Sequence, residues 1–104
     1  MTLKQVGVAA LAALVIGSNA LADVSHFTGD KYLPLAKISL DQARTIALKA
    51  CPGTITDQEL EKEKGGSGLR YSFDIKTTAG VREVGVDAVT GKVLENSREG
   101  PHAD

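Results

Sequence analysis

Cys51 is the one cysteine in the chain, and a lone thiol raises the question of nucleophilic or redox chemistry. A reactive thiol needs a positive neighbourhood that favours the thiolate. Cys51 instead falls at the end of a helical pattern, where the helix dipole is negative, and on the apolar stripe of that helix. It is therefore expected to be a small buried hydrophobe; an exposed sulfur would leave a disulfide-linked dimer open. The two histidines, His26 and His102, stand near opposite ends of the sequence, with no Cys-x-x-Cys or His-x-x-x-His spacing. No metal site is expected from them. Paired carboxylates occur at Glu59 and Glu61 and at Glu83 and Asp87. Acid–base work would require one of each pair in a dry pocket with a raised pKa. A small sheet with nearby Lys and Arg argues for solvated surface charge instead. Gly65-Gly66-Ser67-Gly68 has no helix behind it to cradle a phosphate and reads as a flexible turn. No Gly-x-Ser-x-Gly occurs. The expectation is no catalytic residue, no cofactor and no enzyme activity.

The elements that must position these side chains belong to a small domain. The chain has 104 residues and a formal net charge of −1. It carries no run of Lys or Arg, so the basic stripe that displaces counterions from phosphates is missing and nucleic acid is not an expected partner. Residues 1–22 have the three parts of a secretory signal peptide. Lys4 supplies the positive start, Val6–Ile16 is an uncharged apolar run, and Ala20-Leu21-Ala22 before Asp23 fits a small-x-small cleavage rule. The apolar run is shorter than the ~20 residues that cross a bilayer, so cleavage after Ala22, a periplasmic or secreted product and no stable membrane anchor are expected. With one cysteine, the domain has no internal disulfide to compensate for a small core.

Residues 23–37 show no periodicity and read as a flexible leader, with Phe27, Tyr32 and Leu33 able to dock. Ser39-Leu40-Asp41-Gln42 matches a capping box. Leu40, Ala43, Ala47 and Cys51 then recur at helical spacing, widened by Ile46 and Ala50, until Pro52-Gly53 stops the helix. From Thr54 the period falls to two. Thr54–Glu63 reads as a first strand holding Ile55 and Leu60. Leu69, Tyr71, Phe73 and Ile75 alternate with Arg70, Ser72, Asp74 and Lys76 in a second. Val84, Val86 and Ala88 mark a third, Val89-Thr90-Gly91 a tight turn, and Lys92–Glu95 a short fourth; residues 97–104 read as a tail. The fold expected is α+β: one N-terminal amphipathic helix packed on an antiparallel meander of three to four strands, with the opposite sheet face charged and solvated.

Several spaced motifs in residues 38–96 carry a family resemblance. They are Ala43-x-x-Ile46-Ala47, Pro52-Gly53, Leu60-Glu61, Gly68-x-x-Tyr71-x-Phe73-x-Ile75 and Gly80-x-x-Glu83-Val84-x-Val86. The most specific is Val86-Asp87-Ala88-x-Thr90-Gly91-Lys92-Val93-Leu94. In this order they resemble the PepSY domain. The resemblance implies a helix on an antiparallel sheet, an extracytoplasmic setting, and a role in restraining peptidase activity, as in propeptides of secreted metallopeptidases. The residues themselves read as a fold signature: Tyr71, Phe73, Ile75, Val84 and Val86 as core, Gly80 and Gly91 as turns, Asp87 and Thr90 as side chains bonding turn amides.

Together these readings lead to an exported binding module that docks on an extracytoplasmic protein, a peptidase or a membrane receptor. The surface expected to carry docking is Asp57, Glu59, Glu61, Glu63, Arg70 and Lys76, or an exposed strand edge. The alternative is a sensor that holds a small molecule or metal between helix and sheet.

Overall fold

A computed structural model describes residues 26–99. The expected signal segment with its cleavage residues Ala20, Ala22 and Asp23, and His102, lie outside the described residues. A short 3-10 helix, Asp30–Leu35, precedes α1, Leu40–Ala50. Four strands follow: β1, Thr54–Lys62; β2, Leu69–Thr77; β3, Gly80–Asp87; and β4, Val93–Arg98. They form one antiparallel sheet in the order β1-β2-β3-β4, the α+β meander that the periodicities predict.

The capping box forms as expected. Gln42 N–H donates to Ser39 Oγ at 3.0 Å and Ser39 N–H to Gln42 Oε1 at 2.8 Å, so two amides that the helix leaves unpaired are satisfied. At the other end Cys51 is the C-cap, its N–H bonded to the Ala47 carbonyl, and its side chain is buried. Ala43 and Ala47 are fully buried. With only a methyl group at these positions the helix lies directly on the sheet, over Leu60, Tyr71, Phe73, Ile75, Val84 and Val86. The rings of Tyr71 and Phe73 stack with centroids 6.4 Å apart. The Tyr71 hydroxyl donates to the Ile38 carbonyl at 2.8 Å, which ties the entry to α1 down to β2.

Strand β1 departs from simple alternation. Ile55 lies opposite Ile75 and Leu60 opposite Tyr71, so both face the helix although five positions separate them. A bulge at Thr56 inserts the extra residue that makes this possible: the register steps from Ile55↔Ile75 to Asp57↔Asp74. A second irregularity between Gly85 and Val86 brings Val93 opposite Val86.

Two segments depart from the pattern expected of them. Residues 26–37, placed in a flexible leader, are held against the sheet. Thr28 bridges Glu59 in parallel, its carbonyl accepting Leu60 N–H at 2.9 Å, and Phe27, Tyr32 and Leu33 pack on the core. Gly29 makes the approach possible, because a Cβ there would come within 1.7 Å of the Leu60 carbonyl oxygen. Strand β4 runs to Arg98 rather than ending at Glu95. An edge strand needs only its backbone ladder, and Glu99 N–H closes that ladder on the Val81 carbonyl.

Candidate functional site

The sheet face turned away from α1 carries most of the residues expected to dock. In register, Asp57 lies opposite Asp74, Glu59 opposite Ser72, and Glu61 opposite Arg70. On the other side of β2, Asp74 meets Glu83, Ser72 meets Gly85, and Arg70 meets Asp87. Asp57, Glu59 and Glu61 share this face by regular alternation, while the bulge at Thr56 turns Ile55, of the same parity, to the helix side. Glu63 lies just beyond the end of β1 and is exposed; Lys76 is exposed near the other end of β2, opposite Thr54. The structure thus brings Asp57, Glu59 and Glu61 into one row and sets Lys76 at its margin.

This face is not uniformly solvated, which corrects the sequence expectation. Arg70, Ser72 and Asp87 are buried. Arg70 lies across β3, where Gly85 leaves it room: a Cβ at Gly85 would stand 3.1 Å from Arg70 Cδ. Its guanidinium reaches Glu95 Oε1 at 3.2 Å and the Lys64 carbonyl at 3.2 Å, while Nε has no partner. The carboxylate paired with Arg70 is Glu95 of β4, and by register Glu61 of β1 and Asp87 of β3 stand opposite it. Burial, reinforced by the Glu59 and Glu63 charges, pushes the Glu61 carboxyl from 4.5 to about 7. Burial and the Asp57 charge raise Asp74. Burial and the Glu95 charge raise Glu83, against the opposing hydrogen bond from Ser72 Oγ at 3.2 Å.

Asp87 is the polar centre of the sheet's turn end. Its Oδ1 accepts from Ser67 Oγ at 2.8 Å, Val89 N–H at 2.8 Å and Thr90 N–H at 3.1 Å, and its Oδ2 accepts from Ser67 N–H at 2.7 Å. Burial would raise this carboxyl. The amides of Ser67, Val89 and Thr90 and the Ser67 hydroxyl outweigh it and hold the pKa at about 2. The bonds to Val89 and Thr90 match the expectation from the motif. The bond to Ser67 was not legible, and it corrects the reading of Gly65–Gly68 as a flexible turn: Asp87 pins the β1–β2 turn to the β3–β4 turn. Only the sheet register, which sets Arg70 opposite Asp87, brings the two turns together. Thr90 Oγ1 accepts from Lys92 N–H at 3.2 Å, and Gly91 has φ +81°, the left-handed residue its turn requires.

His26 is exposed. Among the described residues, no group of three or more His, Cys, Asp or Glu is arranged to hold a metal ion, and no helix is long and apolar enough to cross a membrane. Among the described residues one cleft lies beside β1, lined by Phe27, Thr28, Arg44 and Ile55–Gln58, and another lies where Pro52–Thr54 meets Lys76–Thr78. In comparison with known proteins, neither a curated protein nor a solved structure matches. The family profile described as peptidase propeptide and YPEB domain, PepSY, matches residues 37–96, more than half of the chain and every helix and strand of its α+β core except the end of β4. The chain belongs to the PepSY family.

Proposed function

We propose that this protein is an exported regulatory module that docks on an extracytoplasmic peptidase and restrains it, without catalysis of its own. The observation that carries the reading is the sheet face opposite α1, where Glu61, Asp74 and Glu83 are partly buried and each carboxyl is raised from its ordinary value, first by burial and then by neighbouring carboxylates. Crowded carboxylates repel one another and cost folding stability. A partner presenting Lys or Arg would relieve that repulsion on contact, so the face has more to gain from a cationic surface than from solvent. Family membership supports the regulatory half, since the family is described by peptidase propeptides. The N-terminal apolar run and the Ala20-Leu21-Ala22 sequence support export.

The test is capture by the purified chain from the extracytoplasmic fraction of its source, followed by assay of the captured peptidase. The expected result is a retained peptidase whose turnover falls when the chain is added, with both effects lost in a folded E59K/E61K/E63K variant. Retention of no peptidase, or equal retention by the variant, overturns the proposal.

A further inference from the structure

The cleft beside β1 adjoins the open sheet face at Asp57 and has its own chemistry. It measures about 340 Å³ and is walled by Arg44 of α1, by Phe27 and Thr28 of the leader, and by Ile55–Gln58 of β1. That volume is at the lower end of the ~300–1,000 Å³ typical of small-ligand sites.

Three features specify an occupant. Arg44 is a half-buried cation whose Nη1 donates to Gln58 Oε1 at 2.6 Å. Among the described residues the ion pair is Arg70–Glu95, so no carboxylate lies within ion-pair distance of Arg44. A guanidinium has five N–H donors in a planar fork, and one of them is engaged here. The second feature is the outer edge of β1. Thr28 covers it at Glu59 and Leu60, but from Thr54 to Gln58 it has no backbone partner among the described residues. An unpaired edge binds extended main chain. Third, Phe27 and Ile55 supply an apolar wall.

The direction follows from where the edge closes. Phe27 and Thr28 block it beyond Gln58, so a guest strand paired with Ile55–Gln58 must end there. Arg44 stands at that same end, bonded to Gln58. A guest that runs parallel to β1, as Thr28 itself does, reaches this point with its C-terminus. Asp57 also lines the cleft, but by register its side chain falls on the opposite face beside Asp74, and it forms no ion pair with Arg44.

We infer that this cleft binds the C-terminus of an extended peptide, with the terminal carboxylate on the Arg44 fork, the last side chain apolar and set against Phe27 and Ile55, and the main chain added to the edge of β1. The site is independent of the docking face: binding here neither requires nor predicts capture of a peptidase there.

The experiment titrates the ¹⁵N-labelled full chain with acetyl-Ala-Ala-Leu bearing a free carboxylate, with the same peptide as its C-terminal amide, and with free leucine. The expected result is saturable shifts of the Ile55–Gln58 amides with the acid. Affinity should be weaker by about tenfold or more for the amide and for the acid against Arg44→Gln, the loss of a charge-assisted hydrogen-bonded pair. The amide probe needs no variant, and an unchanged melting temperature shows that R44Q is folded. No saturable shift, equal binding of acid and amide, or shifts confined to the Glu59–Glu61 face would overturn the proposal. Free leucine binding as tightly as the peptide would overturn the role of the strand edge.

Discussion

Replacement of Asp87 by Asn should be among the most damaging single polar changes in the domain, and the structure gives its size. The drop of the carboxyl from 3.8 to about 2, at about 1.36 kcal/mol per pKa unit, corresponds to ~2 kcal/mol of stability at neutral pH. Asn keeps the shape and one acceptor oxygen. If that oxygen serves Val89 and Thr90, the NH₂ group is aimed at the Ser67 amide, donor against donor, and the β1–β2 turn loses its anchor. For a domain of this size ~2 kcal/mol is a fall in melting temperature of roughly 8–16 °C. The sign with pH is fixed by the depressed value. The carboxylate's contribution is complete above the unfolded-state pKa, near 4, and is lost as pH falls through about 2. Urea denaturation of wild type and D87N from neutral pH down to the acid limit should therefore show a gap that closes below about pH 4. Amide exchange should show Ser67 losing protection in the variant. A D87N protein within ~0.5 kcal/mol of wild type at neutral pH, or a gap that does not change with pH, would refute the assignment of Asp87 as the pin between the two turns.

Glu61→Gln should have the opposite pH signature. Glu61 titrates at about 7 in the folded chain against 4.5 ordinarily, so the folded state holds a proton that the unfolded state has released, and wild type loses stability as pH rises through about 7. E61Q is expected to match wild type near pH 4.5 and to melt higher in mildly alkaline buffer; identical melting curves at both pH values would exclude a raised Glu61. Gly29→Ala should place a methyl group against the Leu60 carbonyl and strain a residue at φ +88°, costing ~1–3 kcal/mol. Loss of amide-exchange protection at Leu60 without unfolding of β2 and β3 is the readout.

Much of the architecture was legible because it rests on local rules. The capping box at Ser39, the stripe through Leu40, Ala43 and Ala47, the stop at Pro52-Gly53 and the alternation of Leu69–Ile75 each depend on backbone geometry and on burying one face. The motif from Val86 to Leu94 carried the family, and it did so because turns impose chemistry residue by residue. The candidate surface was legible as charges of even spacing along β1 and β2, but not its burial: Arg70 looks like an ordinary surface charge until Gly85 is placed beside it, and Asp87 reads as a residue of its own turn until Ser67 is brought to it.

The sequence by itself thus determined that α1 and the four strands form, their order, and which stripe of α1 and face of β2 are apolar, since helix and strand periods are properties of the local chain. Tertiary structure alone decided how those elements register. Ile55 and Leu60 have the wrong parity to share a face in a regular strand, and only packing beneath α1 makes the bulge at Thr56 worth its irregular ladder. The leader is ordered by an edge of β1 that does not exist until β1 has paired with β2. The carboxylate of Asp87 reaches Ser67, 20 positions away, because two hairpin turns end at the same rim of the sheet. Each of these depends on contacts between residues distant in the chain, and periodicity along the chain carries no record of them.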